Sequence, residues 1–243
     1  MSDKYDLILN LGSMPIITQL LKELELQIYD FPFDNISGSD FLNKMTSLLL
    51  DCNNFMEQKD LTVQKDIPSV GITQVKDMKT GYIYSLDFNP EIPIENSYPA
   101  VKKRYDKYIA NLKICIKAAK RVLITYVENP IIKEDQNEIN ELIAEASIKL
   151  RYKYPNKDIN ILYIKNNDSE DAEFQAIEVC KNATKFIFNF YQNFSDLSSR
   201  RINLGILALA FEGIELNKSI KQKQRLFKEK LLNKISNFKN NLK

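Results

Sequence analysis

Four short apolar runs, at residues 5–12 (YDLILNLG), 121–129 (RVLITYVEN), 158–166 (DINILYIKN) and 185–191 (KFIFNFY), constrain this chain more than any other feature. Each has strand length, and the segments between them carry apolar residues at helical spacing. Strands linked by helical crossovers return to the same end of the sheet and pair in parallel. Their continuous apolar character means burial on both faces. The expected fold class is α/β, a mainly parallel sheet with helices on both faces and a C-terminal amphipathic helix.

The helices can be placed from caps and breakers. After a turn at Gly12-Ser13, Ser13 can cap a helix that has Pro15 in its first turn and Ile16, Ile17, Leu20, Leu21 and Leu24 on its apolar face. A second helix is expected over about 40–50, capped by Ser39 or Asp40, with Phe41, Met45, Leu48 and Leu49 inward. Prolines and glycines then break residues 53–99 into irregular pieces, including a strand candidate GYIYSLDF. Loop-rich ground of this kind often carries a site. Further helices are expected from Pro99 to about Ala119, over 134–154, over 172–180, and from Ser198 or Ser199 through Leu204, Leu207, Leu209 and Phe211.

Residues 1–217 read as one α/β domain and 218–243 as a basic amphipathic appendix. From Lys218 to Lys243 there are nine Lys or Arg against Glu229 alone, so a net charge of +2 conceals a tail of about +8 on a body of about −6. Ile220, Phe227, Leu231, Ile235, Phe238 and Leu242 fall at helical spacing within it. That stripe is expected to lie on the body, on a protein partner or on a second copy in a homodimer, ahead of an anionic membrane surface or nucleic acid.

Several chemistries are excluded outright. The chain contains no histidine, so neither a cysteine-histidine nor a serine-histidine pair can operate. Cys52, Cys115 and Cys180 are widely spaced, without a CxxC, and are expected to be reduced thiols with no metal role. No glycine-rich phosphate loop or GxGxxG is present, and no cofactor is expected. No window approaches the roughly 20 apolar residues of a membrane span, and the first residues lack the pattern of an export signal. A cytoplasmic protein is expected.

The order of short motifs resembles a bacterial family of unknown function described as papain-like cysteine peptidases. Leu11-Gly12-Ser13, the helix with Leu21, Pro32-Phe33-Asp34, Phe55, and Leu86-Asp87-Phe88 follow that family's sequence of features. The segments VKKRYDKYIANL, RVLITYVEN and EINELIAEASIKLRYKYPNKDINILYI resemble its second half, and the likeness covers roughly residues 5 to 195. What the resemblance implies is a cysteine at the start of the first helix, activated by a histidine. Here those two places hold Pro15 and Leu86, and Asn35 stands where the family has tryptophan after Pro-Phe-Asp. Pro15 has no nucleophilic atom and Leu86 cannot move a proton.

Three readings follow. The first is a catalytically inactive relative, a pseudoenzyme acting as a binding or scaffold protein. The second is a transferase or hydrolase of surface glycans using Ser13, Asp34 and Asp87: Ser13 in a strand-to-helix turn beside backbone N–H groups, the carboxylates for acid-base work. The bland alternative for these residues is a helix cap and loop-forming carboxylates. The third is an interaction module working through 218–243.

Overall fold

The computed structural model describes residues 3–12, 14–53, 55–64, 74–84, 87–88, 92–129, 138–168, 173–192 and 201–228. The chain opens with β1 (Asp3–Tyr5), a bend at Asp6 and β2 (Leu7–Asn10), then α1 (Pro15–Glu23) and α2 (Phe41–Leu49). A small hairpin, β3 (Leu61–Gln64) and β4 (Gln74–Asp77), precedes the long helix α3 (Ile94–Ala118). There follow β5 (Arg121–Val127), α4 (Ile139–Lys153), β6 (Asp158–Asn166), β7 (Gln175–Cys180) and β8 (Ala183–Phe188). Two short strands, β9 (Tyr191–Gln192) and β10 (Arg201–Ile202), lead to α5 (Leu204–Leu209) and β11 (Ile214–Leu216), and residues 220–228 are helical.

The central sheet has the order β2-β5-β6-β8-β7, with the first four strands parallel and β7 antiparallel at one edge. This is the α/β arrangement that the apolar runs predict. One face presents Leu7, Leu9, Val122, Ile124, Ile161 and Tyr163 to α2, α3 and α4. The other presents Ile8, Leu123, Leu162 and Ile164 to α1 and α5 through Ile17, Leu20, Leu21 and Leu207. Side chains alternate across a strand, so one apolar run supplies both layers.

The first apolar run is two strands rather than one. The Asp6 carboxylate accepts the N–H groups of Lys120 and Arg121, at 2.9 and 3.0 Å, and the chain bends there. Before the bend β1 pairs with β11, and after it β2 pairs with β5.

Other expectations need correction. Residues 175–180 form a strand, not a helix, because the turn at 181–182 folds them back on β8. Met14, not Ser13, stands at the N-cap of α1, with no side-chain cap bond; Ser13 lies outside the described residues. Asp40 does cap α2, accepting the Asn43 N–H at 2.7 Å. Helix α3 starts at Ile94 and carries Pro99 inside its early turns. Helix α5 is capped by Asn203, while Ser198 and Ser199 lie outside the described residues. Of GYIYSLDF, the described residues form isolated bridges at Ile83, to Ser37 and Lys76, and no strand, while Ser85 and Leu86 lie outside the described residues.

Of the expected stripe on the tail, Ile220 and Phe227 face away from the body, and Leu231, Ile235, Phe238 and Leu242 lie outside the described residues. Ile220 and Phe227 are 76% and 71% exposed, whereas Gln222 and Leu226 are half-buried. At about 100° per residue Ile220 and Phe227 share one face and Gln222 and Leu226 the opposite one. Lys218 pairs with Glu25 at 2.6 Å and the Arg225 guanidinium lies 5.2 Å from the Tyr29 ring centroid, and these contacts fix which face meets the body.

Candidate functional site

The end of β2 and the start of α1 are where a nucleophile would stand if the family pattern held. Pro15 occupies the first position of α1, where its missing N–H costs no helical bond. Beneath it runs a buried polar chain. The Gly12 N–H donates to Asn10 Oδ1 at 3.1 Å, Asn10 Nδ2 donates to Thr18 Oγ1 at 3.0 Å, and the Thr18 hydroxyl donates to Asp34 Oδ1 at 3.1 Å. Asp34 Oδ2 accepts from Gln27 Nε2 at 2.8 Å and from the Phe31 N–H at 2.7 Å.

Asp34 is thus buried and holds three segments together. Burial pushes its pKa up to about 6, against the hydrogen bonds from Gln27, Phe31 and Thr18 and the charge of Lys22. Three donors around a carboxylate that water cannot reach make a fold-forming joint, since a general base needs access to a substrate proton.

Asp87 is also engaged. Its side chain pairs with Arg104 and accepts the Tyr105 hydroxyl at 2.6 Å. Burial raises its pKa, opposed by the Tyr105 hydrogen bond and by Arg104. The Tyr105 ring stacks on Phe55 with centroids 5.6 Å apart, within an aromatic core that also takes in Phe33, Tyr82 and Tyr84. Asp34 and Asp87 therefore have separate sets of partners. Of the other two positions, Ser13 and Leu86 lie outside the described residues.

Among the described residues no group of three or more Cys, Asp or Glu side chains could hold a metal ion. The three thiols are unbridged. Burial pushes the Cys52 thiol up to about 12 and raises that of Cys115. Neither is a thiolate at neutral pH.

Sequence reasoning missed two features. Glu128 is buried just past the carboxyl end of β5, where open α/β sheets build their crevices, and Lys185 is buried within β8. Tyr163 donates to Glu128 Oε2 at 3.3 Å and Lys185 Nζ to Asn140 Oδ1 at 2.6 Å. Burial lowers the proton affinity of Lys185, assisted by Lys165 and opposed by Glu128. A charged residue directly after seven strand residues, as in YVEN, was the available signal. The second feature is a cavity of about 650 Å³ at the open edge of β2, bounded by residues 26–31, the last turns of α3 and the start of the tail.

No family model, no curated protein and no solved structure matches this chain.

Proposed function

We propose that the chain is a non-catalytic relative of the papain-like cysteine peptidase family, a pseudoenzyme that works as a binding or scaffold protein in the cytoplasm. The observation that carries this reading is the engagement of Asp34. A carboxylate with Thr18, Gln27 and Phe31 all donating to it supports a joint in the fold and leaves little room for proton transfer to a substrate. Asp87, tied to Arg104 and Tyr105, supports the same reading. The absence of histidine and the raised pKa values of the Cys52 and Cys115 thiols count in its favour as well. Unbridged cysteines suit a reducing compartment.

The test is turnover. The purified chain, incubated with fluorescent casein and with peptide amides between about pH 4.5 and 8 in the presence of a thiol reductant, should hydrolyse nothing above a buffer control. Hydrolysis that disappears in any one of Cys52→Ser, Cys115→Ser or Cys180→Ser would overturn the reading.

The outward-facing Ile220 and Phe227 favour a second role, that of an interaction segment for a protein partner or a second copy. Sedimentation of the chain and of Phe227→Glu should then differ in oligomeric state or in partner capture. Identical behaviour would remove that role.

A further inference from the structure

The two edges of the central sheet are finished differently. The outer edge of β2 faces the cavity walled by residues 26–31, the last turns of α3 and the start of the tail. At β7, no strand among the described residues pairs with the outer side. The Ile161 N–H donates to the Asn182 carbonyl at 2.8 Å, so Asn182, Thr184 and Phe186 turn their backbone to β6, while Lys185 and Ile187 turn theirs to Ile177 and Gln175 of β7. Ala176 and Glu178 therefore direct N–H and C=O away from the sheet, and both residues are exposed.

An open edge is a template for another strand unless lysine, proline, a bulge or a covering segment blunts it. From Gln175 to Cys180 there is no lysine and no proline. The bulge lies between Glu178 and Cys180, at the hairpin end, and leaves residues 175–178 in regular pairing. Phe174, 55% exposed, precedes the strand and packs on Phe186 and Phe188 with centroids 5.0 and 5.5 Å away.

Charge selects a second copy as the occupant. Glu173 stands just before β7 and Lys181 just after it; both are exposed, and neither has an ion-pair partner among the described residues. A two-fold axis sets two copies of one strand antiparallel and brings each Glu173 toward the Lys181 of the other copy. With Ile177 on that axis, Ala176 lies opposite Glu178 of the other copy, so the outward N–H and C=O groups of these residues meet.

We propose that two copies of this chain pair through β7, antiparallel about a two-fold axis at Ile177, and join their five-stranded sheets into one. This surface is the sheet edge opposite the one beside the tail, and it goes beyond the non-catalytic reading without resting on it.

Sedimentation velocity of the full chain between about 1 and 200 μM should show monomer passing to dimer by mass action. Lys181→Glu, which sets like charges together, should weaken the dimer about tenfold or more, and adding Glu173→Lys to it should restore the dimer. Ala176→Pro removes one outward N–H, a change that an edge strand tolerates, and should leave a folded monomer with the melting temperature of the dilute native chain. Phe227→Glu should retain the β7 dimer. A chain that stays monomeric throughout, a dimer that survives Lys181→Glu or Ala176→Pro, or a charge swap that restores nothing overturns the proposal. A dimer lost in Phe227→Glu and kept in Ala176→Pro also overturns it, by assigning the contact to the tail. Peptide hydrolysis is scored separately, so turnover would sink the non-catalytic reading with the dimer standing.

Discussion

Gly12 sits where a side chain has no room. Its φ is +64°, and a Cβ built there would lie 2.2 Å from the Phe33 carbonyl oxygen, a backbone atom that cannot step aside. Gly12→Ala should therefore destabilise the fold by roughly 3 to 5 kcal/mol, measured by urea unfolding. Asp34 gives a pH signature. Its folded pKa, about 6, exceeds the 3.8 of the unfolded chain, so the folded state binds the proton more tightly. That contribution, at most about 3 kcal/mol, is fully present below about pH 4 and is lost as pH rises through about 6. Melting temperatures between pH 4 and 6.5 should fall more steeply for the native chain than for Asp34→Asn; parallel curves would show that the carboxyl does not titrate there. Pro32-Phe33-Asp34 was legible as a loop with a useful carboxylate, but its burial was not. The donors come from Gln27 and Thr18, seven and sixteen residues away, and no local pattern announces that they converge.

Elements were legible where their apolar period was strong. Strands β2, β5, β6 and β8 and helices α1, α2 and α4 stand close to where periodicity puts them, because each carries enough core residues to fix its own register. The exceptions are decided by partners distant in space. Strand β7 has several exposed residues and takes its conformation from pairing with β8. Ile220 and Phe227 point outward because Lys218 and Arg225 find Glu25 and Tyr29, and charge contacts of that kind leave no periodic trace. They are also weak, about 0 to 1 kcal/mol each. Removing 218–243 should lower stability by less than about 2 kcal/mol in thermal unfolding. A truncated chain that melts much earlier, or precipitates, would make the tail a structural strut.

At the scale of the whole molecule, the acidic body and basic tail form a charge pair within one chain. Screening shortens the reach of that attraction from about 10 Å at 0.1 M salt to about 3 Å at 1 M. Limited trypsin digestion after Lys221 or Lys223 should accordingly run several-fold faster at 1 M than at 0.1 M salt, once corrected against a peptide control; an unchanged rate would mean that packing, not charge, holds the tail. The sheet also sets an order of events in time. Its far edge is a hairpin, with Cys180 opposite Ala183 across a two-residue turn, whereas Leu7 finds Val122 only after more than a hundred intervening residues have been gathered in. Loop closure over that distance is slow compared with hairpin formation, which takes about 1 to 10 μs. Refolding should therefore start from the last third of the chain, and pulse-labelling should find the β8 amides protected before those of β2. Strand β2 is then seated late, so a chain under synthesis carries β2 unpaired until β5 has been made and β1 unpaired until β11 has been made.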